Sequence, residues 1–79
     1  MKYPILLEGF DGQTIEVDPP GLLKAARIHV NGNAAPKGKR KGQFLLRRND
    51  GREVTVKIRP SLFYDAPGLE VEGKVVKPG

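Results

Sequence analysis

The chain has 79 residues, 38% apolar and 29% charged, with a net charge of +5 and no cysteine. That length suits one domain, since compact units run from about 50 to 250 residues, and the ratio of apolar to charged side chains is that of a folding chain. With no thiol and His29 as the one imidazole, disulfide staples and zinc or iron-sulfur centres are excluded, and no cofactor is expected.

The first apolar run, Ile5 to Leu7, does not alternate and is expected to be a central strand covered on both faces, as is its later counterpart Phe44 to Leu46. After Asp11-Gly12, Ile15 and Val17 are expected to face the core and Glu16 the solvent. Asp18-Pro19-Pro20 followed by Leu22 to Ile28 has the composition of a short turn of helix. Ile28 and Val30 then face inward with His29 outward, ahead of Asn31-Gly32. Residues 33–42 contain Pro36, Gly38 and Gly42 among four basic side chains, and are expected to form a mobile loop that resists regular structure. From Glu53 to Arg59 the alternation is clean: Val54, Val56 and Ile58 face one way, Glu53, Thr55, Lys57 and Arg59 the other. Leu69 and Val71 repeat the pattern with Glu70 outward, and Glu72-Gly73 follows. The turns at Asp11-Gly12, Asn31-Gly32, Asp50-Gly51 and Glu72-Gly73 read as four tight hairpins of type I′, which need positive φ at both central residues, although Glu72 suits that role poorly.

A coarser repeat underlies this punctuation. Residues 5–17 laid on residues 44–56 share Leu6, Leu7, Asp11, Gly12 and Val17 with Leu45, Leu46, Asp50, Gly51 and Val56. With slightly larger offsets Pro20-Gly21-Leu22 falls on Pro60-Ser61-Leu62, and Ile28-His29-Val30-Asn31-Gly32 on Leu69-Glu70-Val71-Glu72-Gly73. The expected fold is all-β: a small antiparallel sandwich or partly open barrel of about 6 to 8 short strands, in one domain made of pseudo-repeats 1–40 and 41–79. Turn chemistry common to small β-proteins is the competing account of the repeat.

Charge is regional. Lys37, Lys39, Arg40, Lys41, Arg47, Arg48, Arg52, Lys57 and Arg59 face only Asp50 and Glu53 between residues 37 and 59, a local net of +7, while the rest of the chain carries −2. Lys37, Lys39, Arg40, Lys41, Arg47, Arg48 and Arg52 form the candidate anion-binding set, directed at phosphate backbones or anionic headgroups. A solvated loop that keeps the chain soluble is the plain alternative. No aromatic lies in the basic loop, and Phe44 and Phe63 read as core, so specific recognition of single strands is not expected, though an exposed Tyr64 would favour it.

Enzymatic chemistry is not expected. Gly38-Lys39 lacks the glycine spacing of a phosphate-binding loop, and Arg40 stands where a magnesium-binding hydroxyl would be required. Ser61, the single serine, and His29 are a turn residue and an outward strand residue respectively, and Glu70 and Glu72 share a strand face without a concave apolar setting.

The strings Leu7-Glu8-Gly9-Phe10-Asp11-Gly12, Ala35-Pro36-Lys37-Gly38-Lys39-Arg40-Lys41-Gly42 and Leu46-Arg47-Arg48-Asn49-Asp50-Gly51-Arg52-Glu53-Val54 resemble the soluble amino-terminal part of a group of uncharacterised bacterial membrane proteins with no assigned activity. The pattern Ile28-His29-Val30-Asn31-Gly32 is similar to the β-sandwich of the Fas apoptosis inhibitory molecule family. The first resemblance implies membrane helices beyond Gly79, and Val75-Val76-Lys77-Pro78-Gly79 reads like a linker. The resulting expectation is a non-catalytic interaction or regulatory module, cytoplasmic or at the inner face of a membrane, whose basic loop meets anionic lipid or a protein partner. A low-specificity nucleic-acid binder is the alternative, and a weak homodimer through an exposed strand edge a third reading.

Overall fold

A computed structural model describes residues 2–59 and 67–78. It is all-β, with eight short strands: β1 Tyr3–Ile5, β2 Ile15–Asp18, β3 Arg27–Val30, β4 Asn33–Ala34, β5 Gln43–Arg47, β6 Glu53–Arg59, β7 Gly68–Val71 and β8 Lys74–Val76. They form two antiparallel four-stranded meanders, β1-β2-β3-β4 and β5-β6-β7-β8. Ile5, Phe10, Ile15, Val17 and Ile28 from the first meander and Phe44, Leu46, Val54, Val56 and Leu69 from the second make one buried cluster, so the sheets pack face to face as an open sandwich.

One side of the sandwich is joined by the chain itself. The Ala35 N–H donates to the Ile28 carbonyl at 2.8 Å, prolonging the β3 pairing. The Pro36 carbonyl then accepts the Leu45 N–H at 2.9 Å, and Lys37 bridges Phe44, so the same segment moves onto the outer edge of β5. β1 and β8 are left as the outer edges.

The two meanders share their registers. A shift of 41 positions carries Ile15↔Val30 onto Val56↔Val71 and Val30↔Asn33 onto Val71↔Lys74. The first strand instead maps at 39, Ile5↔Ile15 onto Phe44↔Val56. The step from 39 to 41 therefore falls inside the first hairpin, earlier than the sequence alignment puts it. The cause is a longer second ladder, which continues to Arg47↔Glu53, whereas the first stops at Ile5↔Ile15.

Alternation predicts the apolar positions of β2, β3, β6 and β7 correctly, with Val30, Ile58 and Val71 half-buried against the core, but not the exposure of Asp18 and His29, which are largely covered. It fails for the two uniform apolar runs. β1 is an edge strand ending at Ile5, and Leu6 is 83% exposed because the chain turns away there. β5 alternates between buried Phe44 and Leu46 and half-buried Leu45. No described residue is helical: Leu22 and Leu23 are the tip of a tight turn and Ile28 is in β3.

Of the four tight turns, two have the expected backbone. Asn31-Gly32 lies at φ 53° and 85°, Glu72-Gly73 at 49° and 82°, as type I′ requires. At the other two only Gly12 and Gly51 have positive φ. Arg48 accepts the Gly51 N–H at 3.0 Å while its own N–H donates to Arg52 at 2.7 Å, the three-residue loop with a glycine bulge. Residues 6–14 hold two successive turns, Phe10 N–H to Leu7 and Gln13 N–H to Phe10, which tuck Phe10 into the core.

Candidate anionic-surface interface

In a meander, alternate connections lie at opposite ends of the strands. The connections 6–14, 31–32, 48–52 and 72–73 share one end, and 19–26 and 35–42 share the other. This sorting redistributes charge that the linear sequence assigns to one region. The end carrying 19–26 and 35–42 holds Lys24, Arg27, Lys37, Lys39, Arg40, Lys41 and Arg59, with Lys2 just before β1. Its one acid among the described residues is Asp18, which is buried. The opposite end mixes Glu8, Asp11, Asp50, Glu53 and Glu72 with Arg47, Arg48, Arg52 and Lys74.

The seven candidate anion-binding residues are thereby divided. Lys37, Lys39, Arg40 and Lys41 sit on a closed turn rather than in an irregular loop. Gly38 N–H donates to the Gln43 carbonyl at 2.7 Å, Gln43 N–H to Arg40 at 3.1 Å, and Arg40 N–H to Gln43 Oε1 at 3.1 Å. Asn33 and Ala34, expected in the same loop, form β4 because the Asn31-Gly32 turn folds them back on β3. All four cations are exposed, and none has an acidic partner among the described residues.

Arg47, Arg48 and Arg52 lie at the far end of β5 and its hairpin, beside acids. Arg47 is 4.0 Å from Glu53, and Arg48 and Arg52 are 3.6 and 4.0 Å from Asp50. Arg48 is a packing residue: a Cβ on Gly9 would fall 2.7 Å from its guanidinium. Asn49 ties the same two loops together. Its N–H donates to Gly9 at 2.9 Å, its side-chain amide to Asp11 at 2.8 Å, and its Oδ1 accepts from Gln13 at 2.7 Å.

Between the basic turn and the 19–26 hairpin runs a groove of ≈ 540 Å³, floored by Phe44 and Ile58 and walled by Pro20, Ala25 and Ala26 opposite the lysines. The hairpin is anchored at its base. Lys24 Nζ lies 2.7 Å from Asp18 Oδ2, and His29 Nε2 is 3.8 Å from the same oxygen. The hydrogen bond from Lys24 holds the Asp18 carboxyl below its ordinary range, against the opposing effect of burial and with help from the Lys24 and His29 charges. His29 is not outward in solvent as alternation implies. Its side chain is only 14% exposed, and neither ring nitrogen is hydrogen-bonded.

Ser61, Phe63 and Tyr64 lie outside the described residues. Among the described residues no cluster of three His, Asp or Glu side chains is placed to hold a metal. The contributions of Lys2, Lys24 and Arg27 to the cationic end are invisible in a linear charge count. The signal that finds them is topological: once the turns 6–14, 31–32, 48–52 and 72–73 share one end, the connections 19–26 and 35–42 share the other. Comparison with protein-family models, curated proteins and solved structures gives no match.

Proposed function

We propose that this chain is a non-catalytic binding module that docks its cationic end on a polyanionic surface. The observation that carries the reading is the separation of charge among the described residues: Lys37, Lys39, Arg40 and Lys41 without acidic partners beside Arg27 at one end, with a single buried acid, against mixed and paired charges at the other. Such a field orients the molecule at an anionic surface, where each basic group close to the plane contributes about 1 kcal/mol. An anionic membrane face is the surface that suits several cations gathered on short turns at one end. No helix among the described residues is long and apolar enough to cross a membrane.

Flotation with phosphatidylcholine vesicles, with and without phosphatidylserine, tests the reading. Binding is expected only to the anionic vesicles, and replacing Lys39, Arg40 and Lys41 by Ala is expected to weaken it about a hundredfold, from three charges at about 1 kcal/mol each. Equal binding to neutral vesicles, or binding indifferent to the triple replacement, overturns it. The same cations would also attract nucleic-acid phosphates. That second reading predicts affinity for duplex DNA falling by about 0.9 log units per log unit of salt for each phosphate neutralised.

A further inference from the structure

The structure carries an apolar feature that the charge reading leaves unused. Gly21 and Lys24 bridge each other, with Gly21 N–H donating to the Lys24 carbonyl at 2.9 Å and Lys24 N–H to Gly21 at 3.4 Å. Leu22 and Leu23 are therefore the two central residues of a tight turn, and both side chains are fully exposed. Single exposed leucines are ordinary on soluble proteins, but two adjacent ones at the apex of a protruding hairpin place all their apolar surface where folding cannot bury it. The hairpin is held in place by the Lys24–Asp18 pair at its base and by Pro19-Pro20 on entry.

The surroundings identify what covers the tip. Pro20, Ala25 and Ala26, which flank it, form one wall of the groove whose other wall is Lys37, Lys39, Arg40 and Lys41. Lys24 and Arg27 flank it in sequence, and both are exposed. An apolar apex ringed by cations is complementary to an anionic bilayer, with hydrocarbon beneath phosphate; a purely apolar protein pocket would leave the cations unpaired, and a nucleic acid would leave the leucines in water.

We infer that the 19–26 hairpin is a membrane-insertion tip, with Leu22 and Leu23 entering the acyl boundary of an anionic phospholipid bilayer while the 37–42 turn and Arg27 engage its headgroups. This rests on the proposed docking of the cationic end and adds that the surface is lipid and that binding has an apolar component. Two leucine side chains moved from water into the boundary account for a tenfold or larger rise in affinity.

The chain has no tryptophan, so Leu22→Trp and Leu23→Trp variants each give one emission site. Vesicles of equal parts phosphatidylcholine and phosphatidylserine are expected to shift that emission to the blue, and brominated acyl chains to quench it. The double variant Leu22→Ser, Leu23→Ser is expected to bind about tenfold or more weakly, with a residue of binding that salt removes, and to keep the wild-type melting temperature because both side chains are outside the core. Vesicle binding without a spectral shift or quenching overturns insertion and leaves electrostatic docking standing. Absence of binding to anionic vesicles and to duplex DNA alike overturns both. Binding to duplex DNA but not to vesicles overturns the lipid assignment alone. A concentration-dependent dimer that the double-serine variant abolishes assigns the leucines to a second copy of the chain and overturns insertion.

Discussion

At the residue scale, two positions hold backbone conformations that their side chains do not explain equally well. Asn31 and Glu72 are equivalent under the 41-residue shift and both have positive φ, 53° and 49°. Asn tolerates the left-handed region, whereas other L-residues meet a steric cost of about 1–2 kcal/mol there. Glu72→Asn is expected to raise stability by about 0.5–1 kcal/mol in urea unfolding; a loss would mean that the Glu72 side chain supports the turn in another way. Gly9 is the opposite case. Its φ is 87° and a Cβ there would meet the Arg48 guanidinium, so Gly9→Ala is expected to destabilise by more than about 1 kcal/mol. Asp18 gives a pH dependence. Its carboxyl is held below the ordinary 3.8 by Lys24, so the stabilisation is complete above that value and is lost as pH falls below it through the folded-state pKa. Asp18→Asn should therefore be less stable than the wild type near neutral pH, and the gap should narrow as urea midpoints are followed below pH 4. A gap that does not narrow would place the role of Asp18 in packing.

At the element scale, strands were legible wherever one face is buried and the other wet. Glu53–Arg59 alternates in sequence and in the fold because β6 pairs on both sides within a sheet that has one apolar face. Ile5 to Leu7 misled because a uniform apolar run has no period: Ile5 is core, Leu6 is exposed and Leu7 turns the chain. Asp-Gly signalled a turn but not its type, since one residue of ladder length separates a two-residue turn from a bulged three-residue one. Contacts between loops have no local signal at all. Asn49 takes the place that Phe10 holds in the first half, and where Phe10 fills the core, Asn49 binds the other loop. Asn49→Ala is expected to lower stability by about 1–3 kcal/mol, and a double-mutant cycle with Gln13→Ala should give a positive coupling between the two residues. Zero coupling would mean that the clamp is incidental. The free edges are short, and Pro4 interrupts β1, features that discourage strand-edge association between copies.

At the scale of the whole molecule, the sequence conveyed the fold class and the excess of positive charge but misplaced the latter. Linear counting assigns Arg47, Arg48 and Arg52 to the same cluster as Lys39, Arg40 and Lys41, yet β5 carries them to opposite ends. It also overlooks Lys24 and Arg27, which a meander returns to the cationic end. The candidate interface is a property of topology: alternating connections gather cations, two exposed leucines and a groove at one end, and leave the glycine turns and paired charges at the other.

The most direct test compares equal charge losses at the two ends. Vesicle binding should fall about a hundredfold when Lys39, Arg40 and Lys41 become Ala, and should change little when Arg47, Arg52 and Lys74 become Ala. Equal losses in the two triple variants would mean that net charge alone drives association, contradicting a docking end defined by the fold.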